Sequence, residues 1–198
     1  MSENLGDFSS IFLKQQKPSK GMLLLAEPFM DSPEFSRAVI LLTEHSAKGS
    51  MGFIINRKLN ISPSQAIDGF PEFNGMLFYG GPVSSDQLFY LHTLGDKLEG
   101  SIEIIPGLYM GGDFEALKSL VDTKQITPSE IRFFAGYSGW SDNQLNKELK
   151  ENSWIVAPAD IEHMFSKKEQ KNLWKDILRN MGGKYSMVAE FPEDPSLN

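Results

Sequence analysis

Apolar and polar positions change period several times along this chain, and the changes mark out its elements. Residues 22–26, Met22-Leu23-Leu24-Leu25-Ala26, form a short apolar run closed by Pro28 and by Asp31-Ser32-Pro33, which predicts a strand. A second strand is expected over 37–44. Its centre, Ala38-Val39-Ile40-Leu41-Leu42, is apolar at both parities, as in a strand covered on both faces. Ser46-Ala47-Lys48-Gly49 supplies a turn and 50–56 returns, so 37–56 reads as a hairpin. Strands over 76–79 and 87–93 flank the bend Gly80-Gly81-Pro82. The segment 101–105 alternates polar and apolar, 108–110 follows the Pro106-Gly107 break, and 131–137 and 154–157 complete the set.

Helical spacing is found between these runs. Phe8, Ile11 and Phe12 predict a short amphipathic helix over 7–16. Ser62 opens another with Pro63 at its first position, where a missing N–H is harmless. Asp113 caps a helix carrying Phe114, Leu117, Leu120 and Val121 on one side. Ser141 with Gln144, and Ser166 with Glu169, each spell a capping box. The first of these helices pairs Leu145 with Leu149. The second buries Leu173, Trp174, Ile177 and Leu178 and stops at Gly182-Gly183. Strands and helices mix without a regular β-α-β alternation. That predicts an α+β fold with a mixed, largely hairpin-linked β-sheet and the C-terminal helices on one side of it.

Composition narrows the possibilities. At 198 residues, with 40% apolar and 23% charged positions, the chain is expected to be one domain over 1–198, with a polar extension at 1–20 and a tail at 192–198. The absence of cysteine excludes disulfides, thiolate metal sites and a Cys nucleophile. Residues 1–20 lack a signal-like apolar core, and no apolar run approaches the ~20 residues of a membrane span. A cytoplasmic, membrane-free protein is expected. The formal net charge of −7 argues against broad nucleic-acid binding, which draws most of its affinity from phosphate neutralisation. Lys167, Lys168, Lys171 and Lys175 are the nearest approach to a basic patch.

At this point a resemblance emerges. Lys20-Gly21 with the run to Pro28, then His45, Gly49, Gly52, Asn56 and Arg57, resemble the opening of the AlgH/YqgE family. Gly80-Gly81-Pro82-Val83 with Leu91-His92 is similar to its central signature. Gly136-Tyr137-Ser138-Gly139-Trp140, with Gln144-Leu145 and Trp154, is similar to its C-terminal one. Together these cover nearly all of 20–198, in order. The chain departs from the family at Ser141-Asp142-Asn143, where a second glycine pair is usual, and at Lys58, where proline is common. The resemblance implies a sheet curled into a partly closed barrel with flanking helices. It implies no established reaction, cofactor or catalytic residue, although members carry a transcriptional-regulator label.

Candidate chemistry is sparse. His45 and His92 sit at expected strand ends, where a histidine can act as base or ligand, or bond backbone and pack. No His-Glu-x-x-His or other ligand spacing occurs, and His163 stands alone, so neither a metal site nor a cofactor is expected. Gly136 to Trp140 looks like a nucleophile elbow, but the final glycine falls directly after Ser138 instead of one place later. Gly80-Gly81 could expose backbone N–H groups to an anion, yet a strand follows where a phosphate loop needs a helix. Asn56-Arg57 offers a planar guanidinium fork suited to carboxylate or phosphate, or an internal ion pair.

Three readings follow. The first is a non-enzymatic binding or regulatory module for a protein or small-molecule partner, using His45, Asn56, Arg57, Gly80, Gly81, His92, Tyr137, Trp140 and Gln144. The second is a hydrolase or transferase whose cleft gathers His45, His92, Arg57 and Ser138. The third is a DNA-binding regulator, disfavoured by charge and by the lack of a helix-turn-helix with a basic recognition helix. The first is preferred, because glycines, aromatics and turn residues dominate the signatures. Sequence leaves the oligomeric state open: Met51 to Ile55 could be internal sheet or a dimer edge.

Overall fold

The apolar run at 38–42 lies in the middle of one large sheet. In the computed structural model, which describes residues 16–165 and 170–192, Ala38 through Leu42 are each at most 1% exposed. β1 (Met22–Ala26), β2 (Val39–Ser46) and β3 (Gly49–Ile54) pair antiparallel, with Leu24 opposite Ile40 and Ile40 opposite Ile54. Alternate residues enter different cores. Leu23, Leu25, Val39, Leu41 and Phe53 face one side, while Leu24, Ala26, Ile40, Leu42 and Ile54 face the other. The apolar residues at both parities therefore mean what they were expected to mean: both faces are covered. β3 is flanked by β2 and β8, so residues 51–54 lie in internal sheet and not at a dimer edge.

The remaining strands are β4 (Leu77–Tyr79), β5 (Val83–His92), β6 (Ile102–Ile105), β7 (Leu108–Met110), β8 (Ile131–Trp140) and β9 (Trp154–Pro158). The order is β6-β7-β5-β8-β3-β2-β1-β9, with β4 branching off β8 as its parallel neighbour. All other pairs are antiparallel. β8 is the organising strand. β5 runs along one edge, while β4 and then β3 share the other. The sheet curls until Gly21, just before β1, sits against β6, where an added Cβ would press on the Ile105 side chain at 2.5 Å. No hydrogen-bonded ladder closes the ring among the described residues. The fold is α+β with a partly curled sheet, as expected.

The helices are α1 (Pro63–Ala66), α2 (Phe114–Asp122), α3 (Gln144–Lys150), α4 (Ile161–Phe165), α5 (Leu173–Met181) and α6 (Gly183–Val188). Asp113 caps α2 through the amides of Glu115 and Ala116, as expected. Met164, Trp174, Ile177, Leu178 and Val188 pack α4, α5 and α6 against the Leu23 face. α3 departs from the expected single side: its Leu145 packs with Leu24, Trp140 and Trp154 on the opposite face.

Other differences are local. β5 starts at Val83, not at 87, because Val83 already pairs with Tyr137 across a register shift that precedes Leu88. β8 runs on to Trp140. The Ser141 capping box forms by halves: Gln144 Oε1 accepts from the Ser141 N–H at 3.0 Å, but α3 has its N-cap at Asn143, with φ 56°. A complete box forms instead at Ser62 and Gln65. The helix expected over 7–16 (Gln16 apart), the Ser166 box, Lys167, Lys168 and the tail beyond 192 lie outside the described residues. Among the described residues, no helix is long and apolar enough to cross a membrane.

Candidate functional site

Asn56 and Arg57 leave the end of β3 and are held by backbone. Asn56 Oδ1 accepts from the Val39 N–H at 2.9 Å, and its Nδ2 donates to the Arg37 carbonyl at 2.9 Å. The side chain thus ties the exit of β3 to the entry of β2. Arg57 Nη2 donates to the carbonyls of Pro33 and Ser36, each at 3.0 Å. Burial lowers its guanidinium from the usual value, and Tyr79 and Glu34 act against that shift. The chain then runs antiparallel beside β4: Tyr79 N–H bonds to the Arg57 carbonyl and Leu59 N–H to that of Leu77. This places Lys58 directly across from Phe78.

Arg132 reaches the same place from β8. It follows Ile131 and precedes Phe133, which both enter the core around α2, so the period of the strand turns Arg132 to the other face. Its side chain lies across β4, with the guanidinium 4.1 Å from the Phe78 ring centroid and 5.9 Å from that of Phe165. Nη1 donates to the Ile55 carbonyl at 3.0 Å and lies 3.5 Å from Gln170 Oε1. Among the described residues Nε and Nη2 make no hydrogen bond, and no carboxylate pairs with the side chain. Arg132 is only 8% exposed, and this desolvation alone pushes its guanidinium down to about 9.

These groups line a cleft of about 880 Å³, within the size range of small-molecule sites. Arg57, Lys58, Arg132 and Lys171 bring positive charge to it; Phe78, Tyr79 and Met76 bring apolar surface. A second hollow of about 350 Å³ adjoins it through Asn56, Arg57 and Lys171, and adds Arg37 and Lys175. Neither has an Asp or Glu among its described lining residues. The chain has a net charge of −7 and only four arginines, yet three of them meet here.

The other expected site residues fall elsewhere. His45 lies at the tip of the β2–β3 hairpin, its Nδ1 2.8 Å from Ser50 Oγ. Tyr137 and Trp140 border a hollow there, with Ser50 and Met51. Trp140 is eight residues along β8 from Arg132, roughly 26 Å for an extended strand. Gln144 bonds to Ser141 and, through Nε2, to Glu148 Oε1 at 2.9 Å.

His92 is fully buried. Its Nδ1 accepts from the Leu94 N–H at 3.2 Å, and its Nε2 donates to the Gly111 carbonyl at 2.8 Å, so burial holds it below the usual histidine range and neutral. Ser138 is also fully buried and donates to the Gly80 carbonyl at 3.1 Å. His92 pairs with Ile131, seven residues from Ser138 and roughly 23 Å away along the strand. His45, His92, Arg57 and Ser138 therefore do not gather in one cleft.

The glycine signatures form one crossing. A Cβ on Gly80 would overlap the Gly136 carbonyl oxygen, and one on Gly81 would overlap the backbone of Tyr137. Gly136, at φ 66°, faces the Gly81 carbonyl in return. The Gly80 N–H already bonds to Ala135 O at 2.8 Å, which removes it from an anion nest.

Residues 23–186 match the family described as AlgH-like. The chain belongs to the AlgH-like family. It is 45% identical over 178 residues to a UPF0301 protein of Chlorobaculum tepidum, covering 90% of this chain and 95% of that one. A UPF0301 protein of Bacteroides thetaiotaomicron is 42% identical over 182 residues, covering 91% and 92%. The solution structure of AlgH from Pseudomonas aeruginosa superposes with a TM-score of 0.69 at 28% identity, covering 91% of this chain and 98% of that one. A crystal structure from Corynebacterium diphtheriae gives 0.75 at 24% identity, covering 94% and 100%, and shows the shared fold. The AlgH-like match spans Asn56, Arg57, Arg132 and Lys171 alike.

Asn56, Arg57, Lys171 and Lys175 are legible as candidates in the sequence, and Arg132 is not. Its signal was a lone cation inside the strand Ile131-Arg132-Phe133-Phe134, where a solvent-facing arginine and a buried one read the same.

Proposed function

We propose that this AlgH-like protein is a non-enzymatic binding module of the cytoplasm, whose ligand occupies the cleft between Arg57, Phe78 and Arg132. The observation that carries this reading is the cleft itself. It has ligand-sized volume, and its walls are β4, β8 and the β3 exit, all tied into the sheet by backbone bonds. Rigid elements hold side chains ready for binding. The groups a hydrolase would need are turned inward and satisfied: Ser138 on Gly80, and His92 on Gly111 and Leu94.

A metabolite and nucleotide library screened by thermal stability tests this reading. A ligand at ~100 times its dissociation constant stabilises the native state by roughly 2.7 kcal/mol. Compounds that raise the midpoint should lose their effect in Met76→Trp, because Met76 lines the cleft and is 41% exposed, so the larger ring can enter it without disturbing the core. Recovery of such a compound chemically unchanged supports a binding module. Its conversion overturns the non-enzymatic reading, and hits untouched by Met76→Trp move the site elsewhere.

A further inference from the structure

We infer that the ligand of this cleft is a small polyanion, a phosphate- or carboxylate-bearing molecule whose charged group docks on Arg132. The inference rests on the binding-module reading above and specifies the ligand class of that site.

Three observations converge on it. First, a buried cation needs a partner. A guanidinium taken from water loses hydration that one carbonyl and a ring face do not replace, so such groups are normally paired with an acid. Arg132 has the carbonyl of Ile55, a long contact from Nη1 to Gln170 Oε1 at 3.5 Å and the rings of Phe78 and Phe165, while Nε and Nη2 stay without a partner among the described residues. Second, that unpaired edge has the geometry of an oxyanion receptor. Two N–H groups on one planar fork match the two oxygens of a carboxylate or phosphate. Third, the charged groups among the described lining residues are all cations, with Glu34 set behind Arg57 outside the lining. Arg57, Lys58 and Lys171 share the cleft, and Arg37 and Lys175 the adjoining hollow, with no acid among the described lining residues. Cations gathered along one cleft attract an anion. A walled cleft also focuses the field and favours association.

The size and placement of the site favour a small anion over a nucleic-acid backbone. Duplex binding uses cations spread over an exposed face. Here the deepest cation is 8% exposed and lies at the floor of a cleft. The tyrosine and phenylalanine beside it would cover the rest of a ligand bearing an apolar or ring portion.

The test is isothermal titration of the full chain with pyrophosphate and, separately, with citrate, each at matched ionic strength in chloride. Saturable one-to-one binding of either is expected. Binding of only one identifies the oxyanion as phosphate or carboxylate. Arg132→Met should weaken the binding at least about tenfold, the size of one lost charge-assisted hydrogen bond. Lys58→Glu, at an exposed lining position, should weaken it as well and keeps the test valid if Arg132→Met folds poorly. Lys150→Met changes the charge on α3, outside the cleft, and should leave binding unaltered. If neither anion binds more than chloride does, or if Arg132→Met and Lys58→Glu bind as the parent does, the inference is overturned. Neutral library compounds displaced by Met76→Trp would then keep the binding-module reading alone. An anion bound and chemically converted would keep the inference and overturn the non-enzymatic reading.

Discussion

The guanidinium of Arg132 lies 4.1 Å from the centroid of the Phe78 ring, at the floor of a cleft whose described lining has four cations and no acid. Cation–π contact on this scale offsets only part of the loss of hydration, about 0.5–2 kcal/mol. The residue is therefore held at a cost to the fold, and that makes it separable from the residues that merely stabilise the structure.

Arg132→Met should leave the thermal midpoint equal to or above that of the parent. Replacing a buried, unpaired charge with an apolar side chain of similar length is neutral or stabilising. A fall of several degrees would show that the Ile55 and Phe78 contacts outweigh the desolvation.

The pH dependence follows from the direction of the shift. Burial pushes Arg132 down to about 9, well below its ordinary value in the unfolded chain, so the unfolded chain holds that proton more tightly. The stability penalty is fully present below about 9 and is relieved as pH rises above that value. The advantage of Arg132→Met over the parent should shrink in that window. Anion affinity should fall in the same window, since the free guanidinium loses its proton there. Midpoints and titrations at several alkaline pH values check both, and an affinity that stays flat through this range would remove Arg132 from the site.

Gly136→Ala should destabilise the fold by about 2–3 kcal/mol, from its positive φ and from overlap with the Gly81 carbonyl. Gly80→Ala should act in the same direction through the Gly136 carbonyl. Urea unfolding measures both. A change below about 0.5 kcal/mol, the ordinary scatter of surface substitutions, would mean that the two strands can part locally.

Glu148 Oε2 accepts the indole N–H of Trp140 at 2.8 Å and of Trp154 at 2.7 Å. Glu148→Ala leaves both indoles without this acceptor and should cost about 2–4 kcal/mol, with a change in tryptophan fluorescence. Trp174→Ala should cost on the order of 3–5 kcal/mol, since the ring is 1% exposed and bonds to the Ala26 carbonyl at 2.8 Å. An unchanged unfolding midpoint in either variant would contradict these contacts.

Much of this fold could be read before its structure, and the reason is periodicity. Ala38 to Leu42 announced a strand covered on both faces, and Leu173, Trp174, Ile177 and Leu178 announced the buried face of α5. Elements without a period were missed. The start of β5 at Val83-Ser84-Ser85-Asp86 is polar and irregular, and α6 follows α5 across Gly182, which caps both helices. The candidate site was half legible. Asn56-Arg57 stood out because an amide and a guanidinium follow an apolar strand. Arg132 did not, because its meaning depends on β4, which lies more than fifty residues earlier and runs parallel beside it. His92 stood out for its chemistry, yet the structure places both its nitrogens on backbone.

The most direct measurement is the guanidinium Nε–H resonance of Arg132 in nitrogen-15 NMR, assigned by its loss in Arg132→Met and followed while pyrophosphate or citrate is added. A saturable shift of this resonance with at least one of the two anions is expected, while that of Arg179, exposed and paired with Glu190 at 2.9 Å, stays in place. An Arg132 resonance that does not move at saturating concentrations of both anions would contradict the docking of an anion on Arg132.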